Sequence, residues 1–374
     1  MSNQFSKKVI KALFSAAGIT VDGPDPWDIK VLDERFYPRV LRHGSMGFGE
    51  SYMDGWWECG AIDTLIEKIT HSGLREKARK SVRVILLGLA ALLVNEGRRS
   101  KAFVIGERHY DLGNDLFHAM LDPYMIYSCA YWNGGARTLA EAQEAKLDLI
   151  CRKLFLKPGM EVLDIGCGWG GFAKYAAERY GAKVTGVTVS KEQAARAAEC
   201  CRGLPVHIRL EDYRSVRGLF DRVVSVGMFE HVGYKNHRVF MKTARRVLKE
   251  SGLFLLHTIG SNVSRTSTDP WIRKYIFPVG MIPSIAQIGK AAERLFVMDD
   301  WHNFGADYDA TLMAWFRNFD ARWPALKKKY GERFYRMWKY YLLASAGTFR
   351  ARELQLWQIV FSKRGAPGGY RSER

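Results

Sequence analysis

The sequence predicts an α/β fold: a mostly parallel, Rossmann-like sheet with helices on both faces, joined to a small N-terminal α+β domain. Three observations carry this. Between residues 139 and 258, strand-like apolar runs alternate with helical segments of about 10–15 residues. The first of those runs opens into a glycine loop, Asp164-Ile165-Gly166-Cys167-Gly168-Trp169-Gly170-Gly171. The patterning also changes character near residue 106, after a strongly basic stretch.

Taken in order, residues 1–75 read as the small domain. Helical periodicity covers Lys7 to Ala17, Trp27 to Val31 alternates like a strand, and Gly47, Gly49 and Gly55 interrupt regular structure before Trp56-Trp57. Residues 76–105 form a basic helical connector. Its apolar centre, Val84 to Val94, falls well short of the roughly 20 residues that a membrane-spanning helix needs. Residues 106–374 form the main domain. It begins with a helix over Leu139 to Leu154 and a turn at Lys157-Pro158-Gly159. A strand over Met160 to Ile165, a helix over Gly170 to Tyr180, a strand over Lys183 to Val189 and a helix over Lys191 to Arg202 follow. Three further strands are expected at Val206 to Leu210, Phe220 to Val226 and Leu253 to Thr258, and the glycine-rich tail after Arg364 is expected to fray.

Composition bounds the partners. With 57 Lys and Arg against 39 Asp and Glu, the net charge is +18, which attracts polyanions. No RNA-recognition signature or zinc ribbon is present, so an anionic membrane surface is the expected partner and nucleic acid is not. The six cysteines form no C-x-x-C pair, so no metal site is expected. Their irregular spacing and the amphipathic, rather than signal-like, start point to the cytoplasm.

The glycine loop is the most specific feature. It lies between a strand and a helix, the context that lets a ligand approach the backbone and the helix N-terminus. Its spacing is G-x-G-x-G with Asp164 two positions before the first glycine, rather than the G-x-G-x-x-G of dinucleotide sites. That resembles the cofactor loop of class I methyltransferases, in which a carboxylate can orient the methionine ammonium group of S-adenosylmethionine. Strand two ends in hydroxyls and an amide, Thr188-Val189-Ser190 and Gln193, able to meet a ribose diol, and Ser190 also suits as a helix N-cap. Glu211-Asp212-Tyr213 follows strand three, where an adenine amine needs an acceptor.

Five segments extend the resemblance: Tyr127-Ser128-Cys129-Ala130-Tyr131-Trp132, the loop at 164–171, Gly227 to Gly233, His257-Thr258-Ile259-Gly260 and Trp301 to Tyr308. Together they resemble the cyclopropane-fatty-acyl-phospholipid synthases and, more distantly, the mycolic acid cyclopropane synthases. The likeness runs from about Tyr110 to Phe361, and the first hundred residues fit the small N-terminal domain of the phospholipid enzymes. The resemblance implies transfer of a methylene unit from S-adenosylmethionine to the cis double bond of an unsaturated acyl chain in a membrane phospholipid. A carbocation forms, and a bound bicarbonate takes the proton whose loss closes the ring. By the same resemblance Cys129, Glu230, His257, Ile259 and Tyr308 form the bicarbonate pocket. S-adenosylmethionine falls on Tyr127, Ser128, Asp164, Gly166, Gly168, Gly170, Thr188, Val189, Ser190, Gln193, Asp212 and Tyr213. A homodimer peripherally bound at the inner face of the cell membrane is also implied. Where some relatives carry a cysteine, this chain has Ser345.

The residue types suit that chemistry. An alkene carries no proton to remove, so a base is needed only late, beside a cation and away from water. Cys129 is not expected to act as a nucleophile, because the reaction forms no covalent enzyme intermediate.

Overall fold

The computed structural model describes residues 3–74, 113–133 and 135–374; the connector expected at 76–105 lies outside them. In chain order the elements are α1 (Asn3–Ser15), β1 (Lys30–Val31), α2 (Phe36–Met53), β2 (Trp57–Glu58), α3 (Ile62–His71), α4 (Asn114–Met120), α5 (Leu139–Lys153), β3 (Glu161–Ile165), α6 (Gly171–Tyr180), β4 (Lys183–Thr188), α7 (Lys191–Cys200), β5 (Val206–Leu210), β6 (Phe220–Val226), α8 (His237–Val247), β7 (Leu248–Ser261), α9 (Pro270–Tyr275), α10 (Ile285–Ala292), β8 (Val297–Asn303), α11 (Asp307–Tyr330), α12 (Glu332–Arg350) and β9 (Leu354–Ser362).

The described residues pack into two compact units. One holds residues 3–74 together with 266–278 and 312–354, so it cuts across the linear division expected from composition. The physical reason is the size of its core. A core built from some 70 residues is marginal by itself, and here the aromatic cluster is completed from later in the chain. Phe48 stacks on Trp57 at 4.5 Å, and Tyr340 meets Trp271 at 4.7 Å and Phe48 at 6.3 Å. Gly47 and Gly49 do not break the chain as expected but lie inside α2. A Cβ on Gly47 would stand 2.4 Å from the Arg39 carbonyl, and one on Gly49 2.5 Å from the Trp271 ring. Close packing, not a turn, requires them. The strand expected over Trp27 to Val31 shrinks to Lys30–Val31, paired antiparallel with Trp57–Glu58. Asp28 instead ties a turn, accepting from the Thr20 and Asp25 amides. Ser345 is half-buried within α12.

The second unit, residues 113–265, 279–311 and 355–374, holds a seven-stranded sheet in the order β5-β4-β3-β6-β7-β9-β8. The pairs β4–β5, β3–β4, β3–β6 and β6–β7 are parallel, and β8–β9 is antiparallel. All five predicted strands form, within a few residues of their expected ends; β7 extends the last of them at both ends. Neither β8 nor β9 is marked by alternation. Residues 355–362 of β9 are buried throughout, and such a strand reads as a continuous apolar run. The expected fraying of the tail is overturned. Tyr370 Oη donates to the Lys153 carbonyl at 2.9 Å, and Ser372 and Arg374 both bond the carboxylate of Asp300, at 2.8 Å.

Candidate active site

Strand order reverses between β3 and β6, and open α/β sheets bind ligands at such a switch point, beyond the carboxyl ends of the strands. A cavity lies there. Of the predicted cofactor residues, Tyr127, Ser128, Asp164, Gly166, Gly168, Thr188, Val189, Ser190, Gln193, Asp212 and Tyr213 line it. Gly170 does not. It is the left-handed N-cap of α6 at φ 85°, and a Cβ there would meet Ala197 Cβ at 3.0 Å, so its service is to seat the loop against α7. Gly166, at φ 85°, lets the loop pass Met228, whose Cγ would stand 2.6 Å from an added Cβ.

The walls are largely pre-assembled. Thr188 Oγ1 donates to Gln193 Oε1 at 2.9 Å, and Ser190 Oγ accepts from the Gln193 amide at 3.3 Å, so the hydroxyls fix the turn as well as face the cavity. Asp212 is held by Arg214 at 2.6 Å. Asp164 is buried, and desolvation pushes its carboxyl up to about 7 against the pull of Lys146. Lys146 also lines the cavity and lies outside every sequence motif. Lys146 was findable, because it recurs with Lys153 on the apolar face of the helix that begins at Leu139. Trp169 Nε1 donates to Asn114 Oδ1 at 3.1 Å, so α4 steadies the glycine loop.

The residues expected to hold bicarbonate do not line that cavity, but their segments converge beside it. Glu230 lies in the turn that follows the lining residues Gly227 and Met228. Its Oε1 accepts from the Ile259 amide at 2.7 Å, which places the carboxylate two residues along β7 from His257. The ring of Phe304 lies 5.9 Å from that of His257 and 5.2 Å from that of Tyr131, which follows Cys129 closely in the chain. Thr311 pins the same segment to the start of α11: its hydroxyl accepts from the Ala130 amide at 3.1 Å and from Trp132 Nε1 at 3.0 Å. Tyr308, buried, belongs to that first helical turn. Cys129 is fully buried, its thiol directed at the Ala130 carbonyl. Desolvation pushes that thiol well above its usual range.

Three atoms of this cluster stand out. Glu230 Oε2, His257 Nε2 and Gln358 Oε1 are buried with no hydrogen-bond partner. Burial pushes the Glu230 carboxyl up to about 7 and holds His257 well below its usual range, so the imidazole is neutral. Its Nδ1 lies 3.3 Å from Gln358 Nε2, a neighbour on β9 that no sequence motif marked. His302, by contrast, turns its Nδ1 to Lys153 at 3.0 Å and serves the tail-clamping cluster.

A family model described as mycolic acid cyclopropane synthetase matches residues 98–359. The chain is 54% identical over 367 residues to the cyclopropane-fatty-acyl-phospholipid synthase of Escherichia coli K12, covering 98% of this chain and 96% of that one. It is 37% identical to a probable fatty acid methyltransferase of Pseudomonas putida, over 70% of this chain and 69% of the relative. Among solved structures, the cyclopropane synthase MmaA2 of Mycobacterium tuberculosis superposes with a TM-score of 0.66 at 32% identity, over 70% of this chain and 98% of that one. A mycolic acid cyclopropane synthase complexed with SAH and CTAB does so with a TM-score of 0.66 at 33% identity, over the same shares.

Proposed function

Because the chain belongs to the mycolic acid cyclopropane synthetase family of S-adenosylmethionine-dependent enzymes, we propose that it converts cis double bonds of unsaturated acyl chains in membrane phospholipids into cyclopropane rings. The observation that carries this is the pair of uncompensated polar atoms, Glu230 Oε2 and His257 Nε2, buried beside a cavity suited to S-adenosylmethionine.

S-adenosylmethionine, when bound, supplies an electrophilic methyl group on a sulfonium. The chain's part is to hold it and to keep water out. Asp164 offers a carboxylate to the ammonium of the methionine end, Thr188, Ser190 and Gln193 offer hydroxyls and an amide to the ribose, and Asp212-Tyr213 stand at the adenine end. The second cluster fits bicarbonate. A small oxyanion with both donor and acceptor oxygens matches a neutral imidazole nitrogen and a carboxyl that is half-protonated near neutral pH, each lacking a partner. Bicarbonate there would supply the base that ring closure requires. Glu230 is fixed by the Ile259 amide, His257 by Gln358, and the Cys129 and Tyr308 segments close the wall. The buried rings of Tyr131 and Phe304 exclude water and present π faces to a developing cation.

The +18 charge favours an anionic membrane surface. On α1, Phe5 and Leu13 are 53% and 39% exposed beside exposed Lys8 and Lys11, a pairing suited to peripheral attachment at the inner leaflet, with a homodimer as the assembled form. No helix among the described residues is long and apolar enough to cross a membrane. Gas chromatography–mass spectrometry of fatty acids from cells expressing the chain is expected to show cyclopropane acids replacing unsaturated ones. Methyl-branched products alone would replace this reading with simple C-methylation.

A further inference from the structure

Lys146 is fully buried on α5, where Asp122 and Asp164 lie near enough to favour its charge but neither shares a hydrogen bond with it. Its hydrogen-bond partner is neutral: Nζ donates to Ser128 Oγ at 2.9 Å. The nearby acid Asp122 is already engaged, accepting from the Ile126 and Tyr124 amides at 2.9 and 2.8 Å. A buried cation so placed is costly unless a ligand completes it. Lys146, Ser128 and Asp164 line one cavity. Because Ser128 Oγ accepts from Nζ, its own hydrogen is turned away from the lysine and is left to donate to a ligand. The cavity therefore offers a cation and a hydroxyl donor together with a carboxylate acceptor, the complement of a zwitterionic α-amino acid.

We propose that Lys146 is a positioning residue for the α-carboxylate of the cofactor, acting through the Ser128 hydroxyl while Asp164 takes the ammonium. This rests on the reading of the cavity as the S-adenosylmethionine site. It adds a residue outside the glycine loop, on the helix that precedes it, to the determinants of cofactor affinity.

The test compares two ligands by calorimetry on the full chain: S-adenosylhomocysteine, and 5′-methylthioadenosine, which keeps the nucleoside and thioether but lacks the amino-acid group. Lys146→Met is expected to weaken S-adenosylhomocysteine about tenfold or more, the scale of one charge-assisted contact, and to leave methylthioadenosine within about twofold. Equal losses for both ligands, or none, would overturn the inference. Should that variant not fold, Ser128→Ala must show the same split. In the native chain, affinity for S-adenosylhomocysteine should fall as pH rises through about 8, where burial has brought the Lys146 ammonium. Of the groups that face it, Asp122 is raised by burial, Asp164 is raised to about 7 and so gives up its proton before the lysine does, Cys129 stays a thiol and His257 stays neutral. The fall should be smaller in Lys146→Met, and an identical profile in both proteins would count against the proposal. A native chain that binds neither ligand would instead bring down the reading of the cavity itself.

Discussion

In the cofactor cavity nearly every polar side chain already has a protein partner, whereas in the cluster beside it three buried polar atoms have none. Thr188 is bound to Gln193, Asp212 to Arg214 and Ser128 to Lys146. Glu230 Oε2, His257 Nε2 and Gln358 Oε1 stand empty-handed. The first arrangement binds a large ligand by a preformed surface. The second carries the cost of desolvated groups until a small polar ligand relieves it. Damage to the first should therefore register in affinity, and damage to the second in turnover.

The sharpest break between the two regions is expected at Glu230. Glu230→Gln should lower lipid turnover about a hundredfold or more, with S-adenosylhomocysteine affinity unchanged by calorimetry. Comparable losses in both would mean that Glu230 belongs to the cofactor site. The converse variant, Asp164→Asn, should weaken cofactor binding about tenfold and leave the rate at saturating cofactor within a few-fold.

Stability against pH probes the same cost. The Glu230 carboxyl is raised from 4.5 to about 7 by burial, so the folded chain binds more protons than the unfolded one across that window. Stability should fall as pH rises through it. Urea unfolding of Glu230→Gln should show a shallower fall, by about 3 kcal/mol. An unchanged slope would place the charge elsewhere. The smallest effect is expected at Cys129: with its thiol buried and held protonated, Cys129→Ser should keep activity within about tenfold in the vesicle assay. Complete loss with the fold intact would make the thiol a participant.

The two regions also differ in how legibly the sequence encodes them. The glycine loop, Asp164 and the hydroxyls after β4 are local signals, because a strand–loop–helix turn writes its requirements into consecutive residues. The second cluster is assembled from four separate stretches joined through Phe304, Thr311 and the β7–β9 neighbours. Only the family resemblance brought Cys129, Glu230, His257 and Tyr308 together in advance. Gln358 escaped because a polar residue in a buried strand has no local signature, and β9 itself showed no alternation. Lys146 escaped because a lysine on an apolar helix face ordinarily snorkels to solvent. Gly47 and Gly49 depart from local expectation for the opposite reason: their need is a tertiary contact with Trp271 and a helical neighbour, which local punctuation cannot express.

The central claim, ring formation on a lipid chain, is tested most directly by incubating the purified chain with vesicles of unsaturated phospholipid and S-adenosylmethionine carrying a trideuterated methyl group. Closure of a ring requires loss of one proton from the transferred methyl. Mass spectrometry and proton resonance should show cyclopropane products retaining two of the three deuterium atoms. Products retaining all three, with methyl signals and no ring resonances, would contradict it.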